Sequence, residues 1–246
     1  MLISAMVGID NRATMDIDTT LRNYPLNCES AEQIVRQIAD VEIDDKISFV
    51  IKKTEEIMED SEYQGVRLSL DAYLDKTRIP LKIDISTGDV ITPCEISFSY
   101  QLMFENRTIP LLAYPPETVL AEKLETILSR GEANTRLRDF YDVYILQRED
   151  FVVTPDALCH ALLATCRKRG HEDLLHTYAS ILDRVRQSDT MRTQWMKYQT
   201  DFDYAAGITW DTVLDTVETL CMKTLDDHAF GDELPQEESQ FEMHLL

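Results

Sequence analysis

Asp16-Ile17-Asp18 sets two carboxylates two residues apart in a run that alternates polar and apolar side chains. On an extended strand such residues point to one face, roughly 6.6 Å apart along the chain. Two carboxylates at that spacing can converge on a hard divalent cation. Mg2+ favours such oxygens together with the phosphate oxygens of a substrate. A two-cation arrangement would activate an attacking oxygen and stabilise a leaving pyrophosphate. Lys82-Ile83-Asp84 repeats the alternation, and Asp84 supplies a third carboxylate if its strand lies beside that of Asp16. Each motif has a plainer explanation when taken singly. Asp16 and Asp18 could be solvated acids on an edge strand, and Lys82 and Asp84 a cross-strand ion pair.

Further candidates follow in a helical part of the chain. Lys123 sits in A-E-K-L, and Arg136 opens the run R-L-R-D-F-Y-D, which ends at Asp142. Arg138 and Asp142 are four apart and share a helix face, a pairing that is usually structural and worth a few tenths of a kcal/mol. In a functional role, Lys123 would neutralise a triphosphate. Arg136 or Arg138 would join a phosphate-binding network. Histidines and cysteines suggest no further centre. His171 and His176 are five apart, off the spacing that brings helical side chains together, and the five cysteines form no C-x-x-C pair.

The elements that must position these groups can be outlined from periodicity. Residues 1–8 read as the end of a buried helix, and Arg12 to Leu21 as a strand. A helix is expected over 29–40. Strands are expected over Lys46–Ile57 and Val66–Leu74, with Gly65 as the turn between them. Arg78–Ser86 is another strand, ended by Thr87-Gly88-Asp89, and 109–113 adds a short one. Beyond Pro115-Pro116 the pattern is helical: Glu117–Arg130, stopped by Gly131, then Thr135–Leu146 and further helices near 155–169, 171–187, 190–200 and 209–225. Trp195, Tyr198, Phe202 and Tyr204 are expected on a helix face that packs into a core. Strands first and helices later is an α+β order. We divide the chain at residues 1–113, 114–225 and 226–246; the last is an acidic tail, expected to be mobile.

Composition narrows the partners. With 24 Lys+Arg against 45 Asp+Glu the formal net charge is -21. No general field attracts nucleic acid, so any RNA must meet a local basic cluster. Arg130, Arg136 and Arg138, with Lys123 one helix earlier and Lys52 and Lys53 on a strand, form such a cluster in the sequence. Cysteine usage fits reduced thiols in a cytoplasm. No apolar stretch approaches the roughly 20 residues of a membrane span.

Taken in order, R-A-T-M-D-I-D (12–18), L-K-I-D-I-S (81–86), Y-P-P-E-T-V-L-A-E-K-L-E-T-I-L-S-R (114–130) and R-L-R-D-F-Y-D-V-Y (136–144) resemble the AbiEii/AbiGii toxin family. These are nucleotidyltransferases of type IV toxin–antitoxin and abortive-infection systems. The resemblance spans about residues 1 to 147. It implies a polymerase β-like nucleotidyltransferase core with a mixed sheet, followed by a C-terminal helical region. It implies Mg2+ held by Asp16, Asp18 and Asp84, and a catalytic set of Asp16, Asp18, Asp84, Lys123 and Asp142. Thr14, Lys82, Lys123, Arg138 and Asp139 would bind the nucleotide. Implied partners are a nucleoside triphosphate, tRNA (whose 3′ end is the acceptor in some relatives) and a cognate antitoxin. Family members carry a K-G-G segment ahead of the helix that here begins at Met1. A catalytically inactive relative, acting as a binding or antitoxin-partner module, therefore stays open beside the enzyme. So does an enzyme that modifies protein or a small molecule.

Overall fold

The computed structural model describes residues 2–226, apart from residues 9, 13, 15, 44, 59–63, 103–104 and 149–152. The acidic tail therefore lies, beyond Asp226, outside the described residues. A short helix α1 (Leu2–Val7) leads to strand β1 (Asp16–Leu21). Helix α2 (Cys28–Ala39) and strands β2 (Ile47–Met58), β3 (Gln64–Leu74) and β4 (Thr77–Thr87) follow. Strands β5 (Ile96–Gln101) and β6 (Thr108–Ala113) form a separate two-stranded sheet. The rest is helical: α3 (Pro116–Arg130), α4 (Leu137–Arg148), α5 (Pro155–Lys168), α6 (Leu174–Gln187), α7 (Asp189–Asp201) and α8 (Trp210–Leu225). The class is α+β, as the order of periodicities implies.

The main sheet is mixed, with order β1-β4-β3-β2; β1 runs parallel to β4, and the other pairs are antiparallel. Strict alternation decides what each face does. Val66, Leu68, Leu70 and Ile85 turn to one face and are buried against Ala31 and Val35 of α2. Alternation then sends Asp16, Asp18 and their neighbours to the opposite face. Helix α2 is anchored by a reciprocal cap: the Ser30 amide donates to Asn27 Oδ1 (2.8 Å) and the Asn27 amide to Ser30 Oγ (3.0 Å).

A second core is purely helical. It joins Ile3 and Val7 of α1 to Leu120, Leu124, Ile127, Phe140, Leu162, Leu182, Trp195 and Val213. By packing, α1 thus belongs with the C-terminal helices, although it precedes the sheet. Pro116 starts α3 at its first turn, where the missing N–H costs nothing, and Gly131 ends it at φ +49°.

Three expectations need correction. Gly65 is no turn; it lies inside β3 opposite Ile57, and a Cβ there would meet Ile57 Cγ1 at 2.9 Å. Its lack of a side chain serves close packing. The strand expected from Arg12 begins only at Asp16, because Arg12 turns into the helical part. Of the four aromatics, Trp195 and Tyr198 lie on α7, but Phe202 is its C-cap and Tyr204 sits in a 3-10 turn (Asp203–Ala205). The rings still gather: Tyr198 lies 4.7 Å from Phe202 and Tyr141 4.8 Å from Tyr204, centroid to centroid.

Candidate active site

The open face of the sheet is polar along its length. Asp16 and Asp18 on β1 lie level with Lys82 and Asp84 on β4, and Thr20 lies level with Ser86. Two contacts fix the common face. The Thr20 and Ser86 hydroxyls are hydrogen-bonded at 3.0 Å, and Arg67 of β3 reaches across to Asp84, its register partner. Asp16, Asp18 and Lys82 are exposed, and among the described residues none of the three has an ion-pair partner. Among the described residues, Thr14 makes one long bond, donating from Oγ1 to the Asp16 carbonyl at 3.4 Å.

Asp84 is held. The Arg67 guanidinium donates from Nε to Oδ1 (2.7 Å) and from Nη2 to Oδ2 (2.6 Å), a two-point fork. The bond to Asp84 raises the Arg67 pKa, with burial opposing; the charges of Asp84, Asp16 and Glu55 add to the rise. Lys82 does not pair with Asp84. Among the described residues, no three His, Cys, Asp or Glu side chains stand close enough to hold a metal ion together. The three aspartates share a face, with Asp84 turned to its arginine.

Behind the start of β1 lies a charged quartet, in which Arg12, Asp139 and Asp142 are buried and Lys123 is half-buried. Arg12 donates from Nε and Nη2 to the two Asp142 oxygens at 3.0 and 3.2 Å, with both side chains nearly inaccessible. Lys123 donates to Asp139 at 2.5 Å and lies 3.4 Å from Asp142. Two cations thus face two carboxylates. Burial acts to lower the Lys123 pKa, but Asp139 and Asp142 outweigh it and the net shift is upward. The same helix fastens the preceding loop, since the Tyr141 hydroxyl donates to the Asn11 carbonyl at 2.5 Å. Through Arg12 and Asn11, α4 fixes where β1 begins and therefore where Asp16 stands.

The sequence-based pairing of Arg138 with Asp142 is not formed. Asp142 is taken by Arg12 and Lys123, and Arg138 lies over the Phe202 ring at 5.2 Å. At the far end of the polar face Asp89 accepts from Thr20, from Ser86 (2.5 Å) and from Tyr114 (2.8 Å), tying the sheet to the segment before α3. Burial, then the Asp89 charge, push the Tyr114 hydroxyl pKa up. Sequence reasoning missed Arg12 and Arg67 as site residues. Arg12 stood within the R-A-T-M-D-I-D motif, four residues before Asp16. Arg67 was visible only as the polar position of the alternating run V-R-L-S-L.

A mixed sheet with paired aspartates on its open face, backed by a helical part that sets the acidic strand, is the framework of a nucleotidyltransferase. The sequence model described as nucleotidyl transferase AbiEii toxin, type IV toxin–antitoxin system, matches residues 1–216, and the chain belongs to that family. The protein is by family a nucleotidyltransferase of the toxin class, and membership implies an antitoxin partner. Two crystal structures from Helicobacter pylori are similar, one described as a candidate nucleotidyltransferase and one as JHP933. Each shows 13% identity and a TM-score of 0.45; they span 93% and 92% of this chain and 87% and 84% of their own. No curated protein matches. Among the described residues no helix is long and apolar enough to cross a membrane.

Proposed function

We propose that the chain is a Mg2+-dependent nucleotidyltransferase that moves a nucleotide from a nucleoside triphosphate to an acceptor hydroxyl, with the 3′ end of tRNA as the acceptor. The observation that carries this is the shared open face of Asp16, Asp18 and Asp84 on adjacent parallel strands, with Asp18 and Asp84 level. The donors suit the cation. Mg2+ is usually bound by one or two carboxylates plus substrate phosphates, and Asp16 and Asp18 are exposed carboxylates without an ion-pair partner among the described residues. When bound, the cation supplies charge neutralisation and orientation at the phosphates.

The protein's own groups do the rest. Lys82, exposed and level with Asp16, reaches phosphate oxygens as a mobile point charge. The Lys123 ammonium donates to Asp139 and lies 3.4 Å from Asp142, and its remaining donor capacity would serve the nucleotide. Arg12, Asp139 and Asp142 hold the start of β1 in place. The acceptor oxygen attacks the α-phosphorus, forming one P–O bond while the bond to the pyrophosphate oxygen breaks. Asp84 takes the proton of the acceptor hydroxyl.

The test begins with binding. Mg2+ plus a nucleoside triphosphate should raise the melting temperature, because a ligand that binds only the native state stabilises it by mass action. Asp16→Asn/Asp18→Asn should lose that rise while keeping its ligand-free melting temperature. Incubation with each labelled triphosphate, Mg2+ and total RNA should then label RNA. Label on protein would move the acceptor to polypeptide. No label with any of the four triphosphates would sink the catalytic proposal.

A further inference from the structure

Among the described residues, Arg12 on Asp142 and Arg67 on Asp84 are both two-point forks, and they differ in one respect. Arg12 on Asp142 is sealed: the side chains are 9% and 0% exposed. Arg67 on Asp84 is open, at 37% and 21%. The first fork has no route to a ligand in solution. The second stands on the face where a triphosphate would arrive.

Arg67 is also surrounded by acid. Asp84 lies opposite on β4, Glu55 lies opposite on β2, and Asp16 on β1 acts on the same guanidinium. Glu55 is already occupied by Lys53 at 2.5 Å. A guanidinium fork fits a phosphate as well as it fits a carboxylate, with the same two parallel N–H donors. Asp84 holds the Nε–Nη2 edge, two of the five N–H donors, so Asp84 and a phosphate that takes this edge are rivals for it. In turn, Arg67 and a divalent cation are rivals for the Asp84 oxygens, because both oxygens already accept from Arg67.

We infer that Arg67 couples nucleotide binding to cation binding. This rests on the proposal that Asp16, Asp18 and Asp84 form the metal-binding face. In the free protein Arg67 holds Asp84 and places a positive charge beside Asp16, so a cation meets two carboxylates and a repelling neighbour. When a triphosphate takes the Arg67 fork, Asp84 is released toward Asp16 and Asp18. The site then gains its third acid when the nucleotide is present. By linkage the effect is reciprocal: whatever raises cation affinity through nucleotide raises nucleotide affinity through cation by the same factor. Arg67 is in this sense a positioning residue, acting through Asp84.

The coupling can be read without turnover, on the full chain. Mn2+ serves as the probe, with free ion counted by its paramagnetic resonance signal and no nucleotide present. Arg67→Met keeps the aliphatic stem and removes the charge and the fork. It should tighten Mn2+ binding by about tenfold or more, the scale expected for removing a unit charge several ångströms from a divalent ion near a protein surface. Arg67→Lys keeps the charge without the fork and should fall between Arg67→Met and the wild type. Adding Asp84→Asn to Arg67→Met should cancel the gain. The second arm uses a fluorescent nucleoside triphosphate with all divalent ions chelated. Asp84→Asn frees the Arg67 fork and should tighten triphosphate binding several-fold; the double variant should lose that gain. Thermal melts confirm that each variant is folded. Unchanged Mn2+ affinity in folded Arg67→Met, or unchanged or weaker triphosphate binding in Asp84→Asn, would overturn the coupling. A separate control isolates the underlying proposal: if Asp16→Asn/Asp18→Asn binds Mn2+ as the wild type does, the cation lies elsewhere and both inferences fall. If that control loses Mn2+ while Arg67→Met behaves as the wild type, only the coupling falls.

Discussion

Replacing Arg12 by alanine would strand Asp142, a carboxylate with no exposed side-chain surface. Its fork partner contributes two bonds, at 3.0 and 3.2 Å. Breaking a buried ion pair by deleting one partner typically costs about 3–5 kcal/mol, most of it the penalty of the charge left behind. Lys123 stays 3.4 Å from the same carboxylate and offsets part of that penalty. The lower end, about 3 kcal/mol, is therefore expected. For a chain of this size each kcal/mol shifts the melting temperature by about 2–4 °C, so the drop should be about 6–12 °C. Calorimetry or a dichroism melt measures it. The second variant is Arg12→Met/Asp142→Leu, which replaces the pair with apolar groups. Such exchanges are often neutral or stabilising, so most of the melting temperature should return. Activity should not return, because the fork that sets the start of β1 is gone. A drop of less than about 2 °C in Arg12→Ala would show that the pair carries little stability and refute the energetics. Full activity in the melting-competent double variant would refute the positioning role.

Two further outcomes follow. Tyr141 is pushed up to about 12 by burial, then by Tyr204 and Asp142; Cys166 and Cys221 are pushed up to about 12 chiefly by burial. Each binds its proton more tightly folded than unfolded, so stability is intact below the unfolded values, near 9 to 10, and falls as pH rises toward 12. Denaturant melts at stepped pH should show a loss confined to that window, and a flat profile across it would contradict the burial of these groups. For RNA, removing Arg130 and Arg136 together should weaken binding and flatten its salt dependence, since fewer counterions are released, while triphosphate binding survives. An unchanged salt slope would place the RNA on another surface.

Much of the fold was legible because alternation and helical periodicity report which faces are buried. The Asp84 strand and the stop at Gly131 read correctly from those signals, and the Asp16 strand did so from Asp16 onward. The failures share a cause. Gly65 was taken for a turn because glycine is the usual residue there, whereas here its requirement is the close side chain of Ile57 across the ladder. Strand β5 went unmarked, although I-S-F-S-Y-Q alternates; its partner β6 is equally short, so neither strand announces the other. Helix α1 read correctly as buried, but nothing local says that it is buried against α4, more than a hundred residues away.

The same limit shaped the site. Residue type and spacing marked Asp16, Asp18 and Asp84, because each lies in a run whose period fixes its face; Lys123, Asp139 and Asp142 became site candidates through the family resemblance. Pairing is a different matter, since an ion pair is decided by which elements meet in space. Spacing favoured Arg138 with Asp142 and Lys82 with Asp84, both local. The fold chose Arg12 for Asp142, 130 residues apart, and Arg67 for Asp84 on the neighbouring strand. A local helix pair is worth a few tenths of a kcal/mol and yields readily to a buried two-point fork. The consequence is functional. The arginine lost from the expected helix pair lies over an aromatic ring, and the lysine lost from the expected strand pair is left exposed beside Asp16. The cross-strand choice therefore withdraws one cation from the acidic face, where Arg67 is spent on Asp84. It leaves another, Lys82, available where the phosphates of a nucleotide would lie.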